Sequence, residues 1–216
     1  MDALKLMVDL SLKGGPLMVP LALVALVSVV LIIERFLYLR ANRIDGDKFH
    51  FELKSALKEG DLNKAIVLAA RTRGVVGRVV EEGLLRVQDG ETNVETATEK
   101  VIHNEMSQME RSRGWLVNLG QVAPLLGILG TVQGMILCFM RIEQAGAADP
   151  KMLAGGIYMA LVTTVAGLVI AVPVTIAQEY FRNQTNNILH YLDLCLIEVR
   201  EWMDKTRRSQ KTHGQA

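Results

Sequence analysis

The chain has 216 residues, of which 50% are hydrophobic and 22% charged, and its formal net charge is +1. A mean hydropathy of +0.24 is too high for one soluble domain, and the apolar residues are concentrated in runs. The class is therefore an all-α integral membrane protein; no phosphate loop, nucleophile triad or nucleic-acid surface is legible, and no catalytic chemistry is indicated.

Residues 1–13, MDALKLMVDLSLK, alternate charge and leucine in the manner of a short amphipathic helix on the outer surface, and Gly14, Gly15 and Pro16 end it. The segment 1–15 is expected to be periplasmic. Transmembrane helix 1 is placed at 16–39, because 14–33 holds 20 uncharged residues, enough to cross roughly 30 Å of hydrocarbon. Its apolar core is longer than that of a signal peptide and only ERFLYLR follows, with no small-residue cleavage site, so it is expected to remain as an anchor. Glu34 and Arg35 close it at the inner interface as a snorkelling pair or helix-end anchor.

Residues 40–113 read as a cytoplasmic helical domain. Phe51, Leu53 and Leu57 precede the breaker Gly60, and Asp61 is the expected N-cap of a second helix carrying Leu62, Ala65, Ile66 and Ala69. TNVE at 92–95 has the form of a capping box and predicts a helix start. That helix runs from Asn93 to about Ala145, roughly 50 residues and 80 Å at 1.5 Å per residue, with half of it projecting into the cytoplasm. Transmembrane helix 2 occupies 114–142, and Pro124 is accommodated as a kink. After a periplasmic loop at 143–152, transmembrane helix 3 at 153–180 continues past Pro173 to about Asp204. Ile188, Leu192, Cys195, Val199 and Met203 recur there at spacings of three and four, an apolar stripe on a cytoplasmic C-terminal helix and tail at 181–216.

Arginine and lysine cluster after span one, before span two and after span three, while only Arg141 and Lys151 lie in the loop between spans two and three. Positive-inside counting therefore puts the N-terminus outside and residues 40–113 and the C-terminus in the cytoplasm. Cys138 and Cys195 read as small apolar fillers with no disulfide between them, and His103 as a surface histidine with no metal role.

In span two, Gly120, Pro124, Gly127, Thr131, Gly134 and Cys138 follow at spacings of 4, 3, 4, 3 and 4. Gly156, Ala160, Thr164, Gly167 and Ala171 in span three follow at 4, 4, 3 and 4. Each helix thus carries one small-residue face, and Gly130 and Pro173 complete the packing set. Such faces let membrane helices approach where no hydrophobic effect draws them together. Thr131, Thr163, Thr164 and Gln133 add hydrogen-bonding groups where a partner or a hydrated path is expected. Neither 114–140 nor 152–178 contains Asp, Glu, His, Lys or Arg, so a proton crossing here needs a titrating carboxyl group from another subunit. A structural membrane scaffold, whose small-residue faces only pack helices, stays open as the alternative.

APLLGILGTVQGM at 123–135 and GGIYMALVTTVAGLVIAVPVTIA at 155–177, with ERFLYL after span one, resemble the ExbB/TolQ/MotA proton-channel subunits, most closely the three-span ExbB and TolQ branch. The resemblance implies a ring-forming homo-oligomer, generally a pentamer, in the bacterial inner membrane around an ExbD/TolR-like single-span subunit with a membrane aspartate. It also implies that Thr131 and Thr164 line the proton path, and that the proton motive force is coupled to work on a TonB-like or TolA-like protein. It implies no cofactor and no enzymatic activity. The chain departs from the pattern at Met159, where relatives often carry glutamate, and at Thr163, where many have alanine.

Overall fold

The computed structural model describes residues 14–90, 93–146 and 150–213. Among them are six α-helices and no strand: α1 Met18–Ala41, α2 Gly46–Lys58, α3 Leu62–Arg71, α4 Val75–Gln88, α5 Val94–Ala145 and α6 Pro150–His213. The expected amphipathic helix at 1–13 and Thr92 of the capping box lie outside the described residues. Three helices, α1, α5 and α6, are long and apolar enough to cross a membrane. The helix expected from Asn93 begins at Val94 and ends at Ala145, and α6 starts with Pro150 at its first position, where a missing N–H costs no hydrogen bond.

The described residues fall into two compact units. One holds residues up to Glu34 with Ser112–Tyr180, the other Arg35–Arg111 with the chain from Phe181 onward. In the first unit Val24 of α1 packs with Ala123 of α5 and Ala171 of α6, and Leu119, Leu126 and Ile170 close around them. The opposite faces expose Leu23, Leu125, Ile128, Leu129, Leu161 and Val165, as suits helices solvated by lipid.

The second unit is an amphipathic helical cluster. Phe49, Leu53, Ala56 and Leu57 of α2 are buried at helical spacing, as are Ala65 and Ala69 of α3 and Val75, Val76, Val79, Val80 and Leu84 of α4. Phe51, which the periodicity placed in the apolar set of α2, is 72% exposed. The correct stripe is 49, 53, 56 and 57; position 51 is about 160° from 53 on the helix, too far round to share its face. The breaker at Gly60 is a Schellman turn: Gly60 N–H donates to Leu57 O at 3.1 Å and Asp61 N–H to Ala56 O at 3.3 Å, with Gly60 at φ +76°. Asp61 then caps α3, its Oδ1 accepting from Lys64 N–H at 2.8 Å. Helix α4 was not separable in the sequence because its start depends on Gly74 at φ +101°, where a Cβ would lie 2.8 Å from Asn42 O.

Ion pairs join these helices. Arg78 grips Glu105 with two bonds of 3.0 and 2.8 Å, and the side-chain hydrogen bond from Glu105 raises the Arg78 pKa. Lys54 bonds Glu198 of α6, which raises Lys54. Of the residues expected to form a stripe on α6, Ile188, Leu192, Cys195 and Val199 are buried, all at most 9% exposed, and Met203 is half-buried.

Cys195 is free and fully buried, and burial, with Glu198 nearby, pushes its thiol up to about 12. The thiolate is the reactive species, so a raised value means a neutral, inert thiol at every pH below that range. At about pH 8 a maleimide should leave Cys195 unmodified in the folded protein and label it after denaturation, as read by intact mass.

Candidate functional site

The first unit brings two helices together through their smallest residues. A Cβ on Gly167 would lie 2.6 Å from Ala123 O and 3.2 Å from the Gly127 Cα, and one on Gly127 would lie 3.1 Å from both Thr163 O and the Thr164 Cα. Further along, a Cβ on Gly134 would meet Gly156 O at 3.0 Å and Ala160 Cβ at 3.1 Å, and one on Gly156 would meet Cys138 Cβ at 2.7 Å. On Gly120 it would meet Gln178 Nε2 at 2.6 Å, and on Gly130 it would overlap the Thr163 side chain. The two chain segments run antiparallel with backbone touching backbone.

The small-residue face is therefore real, and it differs from the row read in the sequence at three positions, where Ala123, Gly130 and Thr163 are buried in place of Pro124, Thr131 and Thr164. Its buried members in α5 are Gly120, Ala123, Gly127, Gly130, Gly134 and Cys138, and in α6 Gly156, Ala160, Thr163, Gly167 and Ala171. Pro124, Thr131 and Thr164 are half-buried at its border, and Pro173 is exposed. Both prolines lie inside continuous helix. Pro124 has no N–H to give the Gly120 carbonyl, a loss membrane helices tolerate when neighbours supply other polar groups.

At about 100° per residue, the border positions sort onto two edges. Leu119, Leu126 and Ile170 lie on the edge packed against the Val24 cluster, that is, against α1. Gln133 falls on that same side of α5. Thr131 lies on the other edge of α5, and Thr164 on the matching edge of α6, where its Oγ1 donates to Gly127 O of α5 at 3.3 Å and to Ala160 O at 3.5 Å. Thr131 Oγ1 donates to Ile128 O at 2.6 Å. The structure thus brings Thr131 and Thr164 to one edge that α1 leaves uncovered, and separates Gln133 from them.

Thr163 is 1% exposed, inside the seam, donating to Ala160 O at 2.8 Å. It fills the space opposite Gly130 and does not border the uncovered edge. Two polar residues were missed. Thr175 falls in the row 164, 168, 171 and 175, a spacing visible in the sequence, and donates to Ala171 O at 2.9 Å. Gln178 Nε2 donates to Leu116 O at 2.6 Å, tying the other end of α6 to α5; its pairing with Gly120 has no signature in the linear sequence.

The two residues proposed to close span one part company. Glu34 is exposed, whereas Arg35 is 2% exposed in the second unit, donating to Met109 O and standing 5.4 Å over the Tyr38 ring. Protein, not solvent, surrounds this guanidinium. Met159 is half-buried, and a Cβ on Gly15 would lie 3.0 Å from its sulfur. Among the described residues no group of three His, Cys, Asp or Glu side chains gathers to hold a metal. Chemically the edge can accept and donate hydrogen bonds but cannot itself take up a proton at neutral pH.

A family model described as the MotA/TolQ/ExbB proton channel family matches residues 71–193. An ExbB-like biopolymer transport protein of Synechocystis sp. is 31% identical over 179 residues, 80% of this chain and 83% of that protein. A biopolymer transport protein ExbB homolog of Methanothermobacter thermautotrophicus is 28% identical over 183 residues, covering 84% of this chain and 65% of its own length. Another ExbB-like protein of Synechocystis is 32% identical over 170 residues, 77% of this chain and 66% of that protein. The chain thus spans just under two thirds of the length of these last two relatives.

The seam makes a contrast between two glycines testable. Gly167→Ala forces a Cβ onto a backbone carbonyl that cannot swing away, and should cost about 1–3 kcal/mol as overpacking. Gly155→Ala, with nothing within 4 Å of its Cβ position, should leave stability equal or slightly higher through helix propensity. Thermal unfolding in detergent would show a lowered midpoint for the first variant only.

Proposed function

The chain belongs to the MotA/TolQ/ExbB proton channel family, and from that premise we propose that it is an ExbB/TolQ-like subunit of a proton-driven motor in the inner membrane. Several copies, five by resemblance, surround an ExbD/TolR-like single-span subunit whose membrane aspartate carries the proton. The N-terminus faces the periplasm and the C-terminus the cytoplasm. The complex couples the proton motive force to mechanical work on a TonB-like or TolA-like protein.

One observation carries this reading. Thr131 and Thr164 both lie on the edge of the α5–α6 seam away from α1, in spans that contain no ionisable residue of their own. Polar groups on an uncovered membrane face are costly unless a polar partner meets them. A partner carboxyl group supplies what the chain lacks, a site that can take up and release a proton. Each elementary charge moved through 100 mV releases about 2.3 kcal/mol, enough for a few protons to break several weak contacts in a partner. Met159 leaves the outer end of span three without the glutamate frequent in relatives; if that glutamate takes part in proton entry, this protein uses another route.

The scaffold reading draws on the glycines. Gly120, Gly127, Gly130, Gly134, Gly156 and Gly167 all pack within one chain, which accounts for them without any conduction. It accounts for the bond from Thr164 to Gly127 O but not for the placing of Thr131 with Thr164 on one uncovered edge.

Native mass spectrometry in mild detergent, on the tagged chain co-expressed with an aspartate-bearing single-span subunit from the same genome, separates the two readings. The motor reading expects a multimer of this chain retaining that subunit; a clean homo-oligomer or monomer would favour the scaffold. Thr164→Val, nearly isosteric but unable to hydrogen-bond, should keep the assembly and abolish energy-dependent uptake in cells. Normal uptake in that variant would remove Thr164 from the proton path.

A further inference from the structure

Where α1 ends, the second unit holds a small cavity of about 190 Å³. Leu39 of α1 and Arg43 and Ile44 of the connection to α2 form one wall, and Gln184, Asn187 and Tyr191 of α6 form the other. The volume is below the roughly 300–1,000 Å³ of a site for a drug-sized molecule and suits one small polar group. Glycine fixes the α6 wall: a Cβ on Gly46 would overlap the Tyr191 ring, so the start of α2 lies directly on that ring.

The lining favours an anion. Arg43 is its only charged side chain. Among the described residues, the Arg43 guanidinium and the Gln184 and Asn187 amides have no side-chain hydrogen bond or ion pair. A guanidinium presents five N–H donors in a fork that matches phosphate, and each amide adds an NH2 group. The carboxylates near Tyr191 are engaged elsewhere: Asp47 accepts from the Tyr191 hydroxyl, and Asp45 accepts from Lys48 N–H at 3.3 Å to cap α2. Neither lines the cavity.

Its place along the helices identifies the anion. The exposed large apolar residues of α1 end at Phe36 and Leu37, and those of α6 break off after Ile176 and Tyr180, resuming only at Ile197. At 1.5 Å per residue, Leu39 is about 3 Å beyond Leu37 and Gln184 about 6 Å beyond Tyr180 along their helices. Headgroups add about 5–8 Å to each side of the hydrocarbon. The Leu39 and Gln184 end of the cavity therefore lies at headgroup level, and the long Arg43 side chain can extend toward it. Leu39 and Ile44 give the cavity an apolar side, which a free phosphate ion cannot use and the glycerol backbone of a phospholipid can.

We infer that this cavity binds the phosphate of an anionic phospholipid from the leaflet on the side of α2 to α4. Arg43 clamps the phosphate oxygens, and the Gln184 and Asn187 amides donate to the headgroup. The bound lipid ties the end of α1 to α6 at the membrane surface, and the site requires neither a partner subunit nor a proton path.

Native mass spectrometry of the full chain in mild detergent, titrated with phosphatidylglycerol, counts the bound lipid. One lipid per copy is expected, held more tightly than phosphatidylcholine, whose choline cancels the phosphate charge. Arg43→Gln should raise the half-saturating concentration about tenfold or more, the effect of losing a charged hydrogen bond. Arg40→Gln removes the same charge from the last turn of α1 without touching the cavity, and should raise it less than about fivefold. Gln184→Leu keeps every charge and should weaken binding about fivefold; it reports on the site even if Arg43→Gln fails to fold. Equal losses in the two arginine variants, or unchanged binding in Gln184→Leu, would overturn the inference and leave only diffuse attraction of lipid to a basic surface. Displacement of the lipid by inorganic phosphate would also overturn it, in favour of a free phosphate site.

Discussion

The contact between backbones at Gly167, Ala123 and Gly127 is the constraint on which the first unit depends. With a Cβ on Gly167 only 2.6 Å from Ala123 O, no other residue fits there without moving α5 off α6. In lipid no hydrophobic effect draws the helices together, so close approach and dispersion must do it, and glycine permits both. The same closeness lets a hydroxyl on α6 reach a main-chain carbonyl on α5, as Thr164 does to Gly127. Glycine at 127 and threonine at 164 are thus two parts of one arrangement.

From this seam follows the division of polar groups. Thr163, 1% exposed, and Gln178 bond to carbonyls within the unit and hold the register of the pair. Thr131, Thr164 and Thr175 lie on the edge away from α1. Because α1 covers only one edge, the other stays open. The second unit uses different forces: an alternating apolar core in α2 to α4 and ion pairs such as Arg78–Glu105, in surroundings where water can solvate what protein does not.

Much of this was legible in the linear sequence. Uncharged runs gave the three apolar helices, because length and hydropathy suffice to set them apart. Asp61, Gly60 and the stripe from Ile188 to Val199 were readable because caps, turns and helical periodicity are local. The small-residue face was readable except at three positions, each off by one residue. A run rich in glycine, alanine and threonine fits adjacent rows equally well, and the partner helix decides whether Ala123 or Pro124, and Thr163 or Thr164, turns inward. Arg35 escaped for a related reason: its acceptor, Met109 O, is 74 residues away. Phe51 misled because a large apolar residue adds to the apparent periodicity even when its helix faces it outward.

The account's central claim is that the open threonine edge forms a proton path only with a partner's carboxyl group. Its most direct test is proton uptake by liposomes holding this chain alone, the chain with its aspartate-bearing subunit, or that complex with Thr131→Val and Thr164→Val, under an imposed membrane potential and followed with a trapped pH-sensitive dye. Uptake by the unmodified complex, with none from the chain alone and little from the valine variant, is the predicted result. Equal uptake by the variant, or uptake by the chain alone, would contradict it.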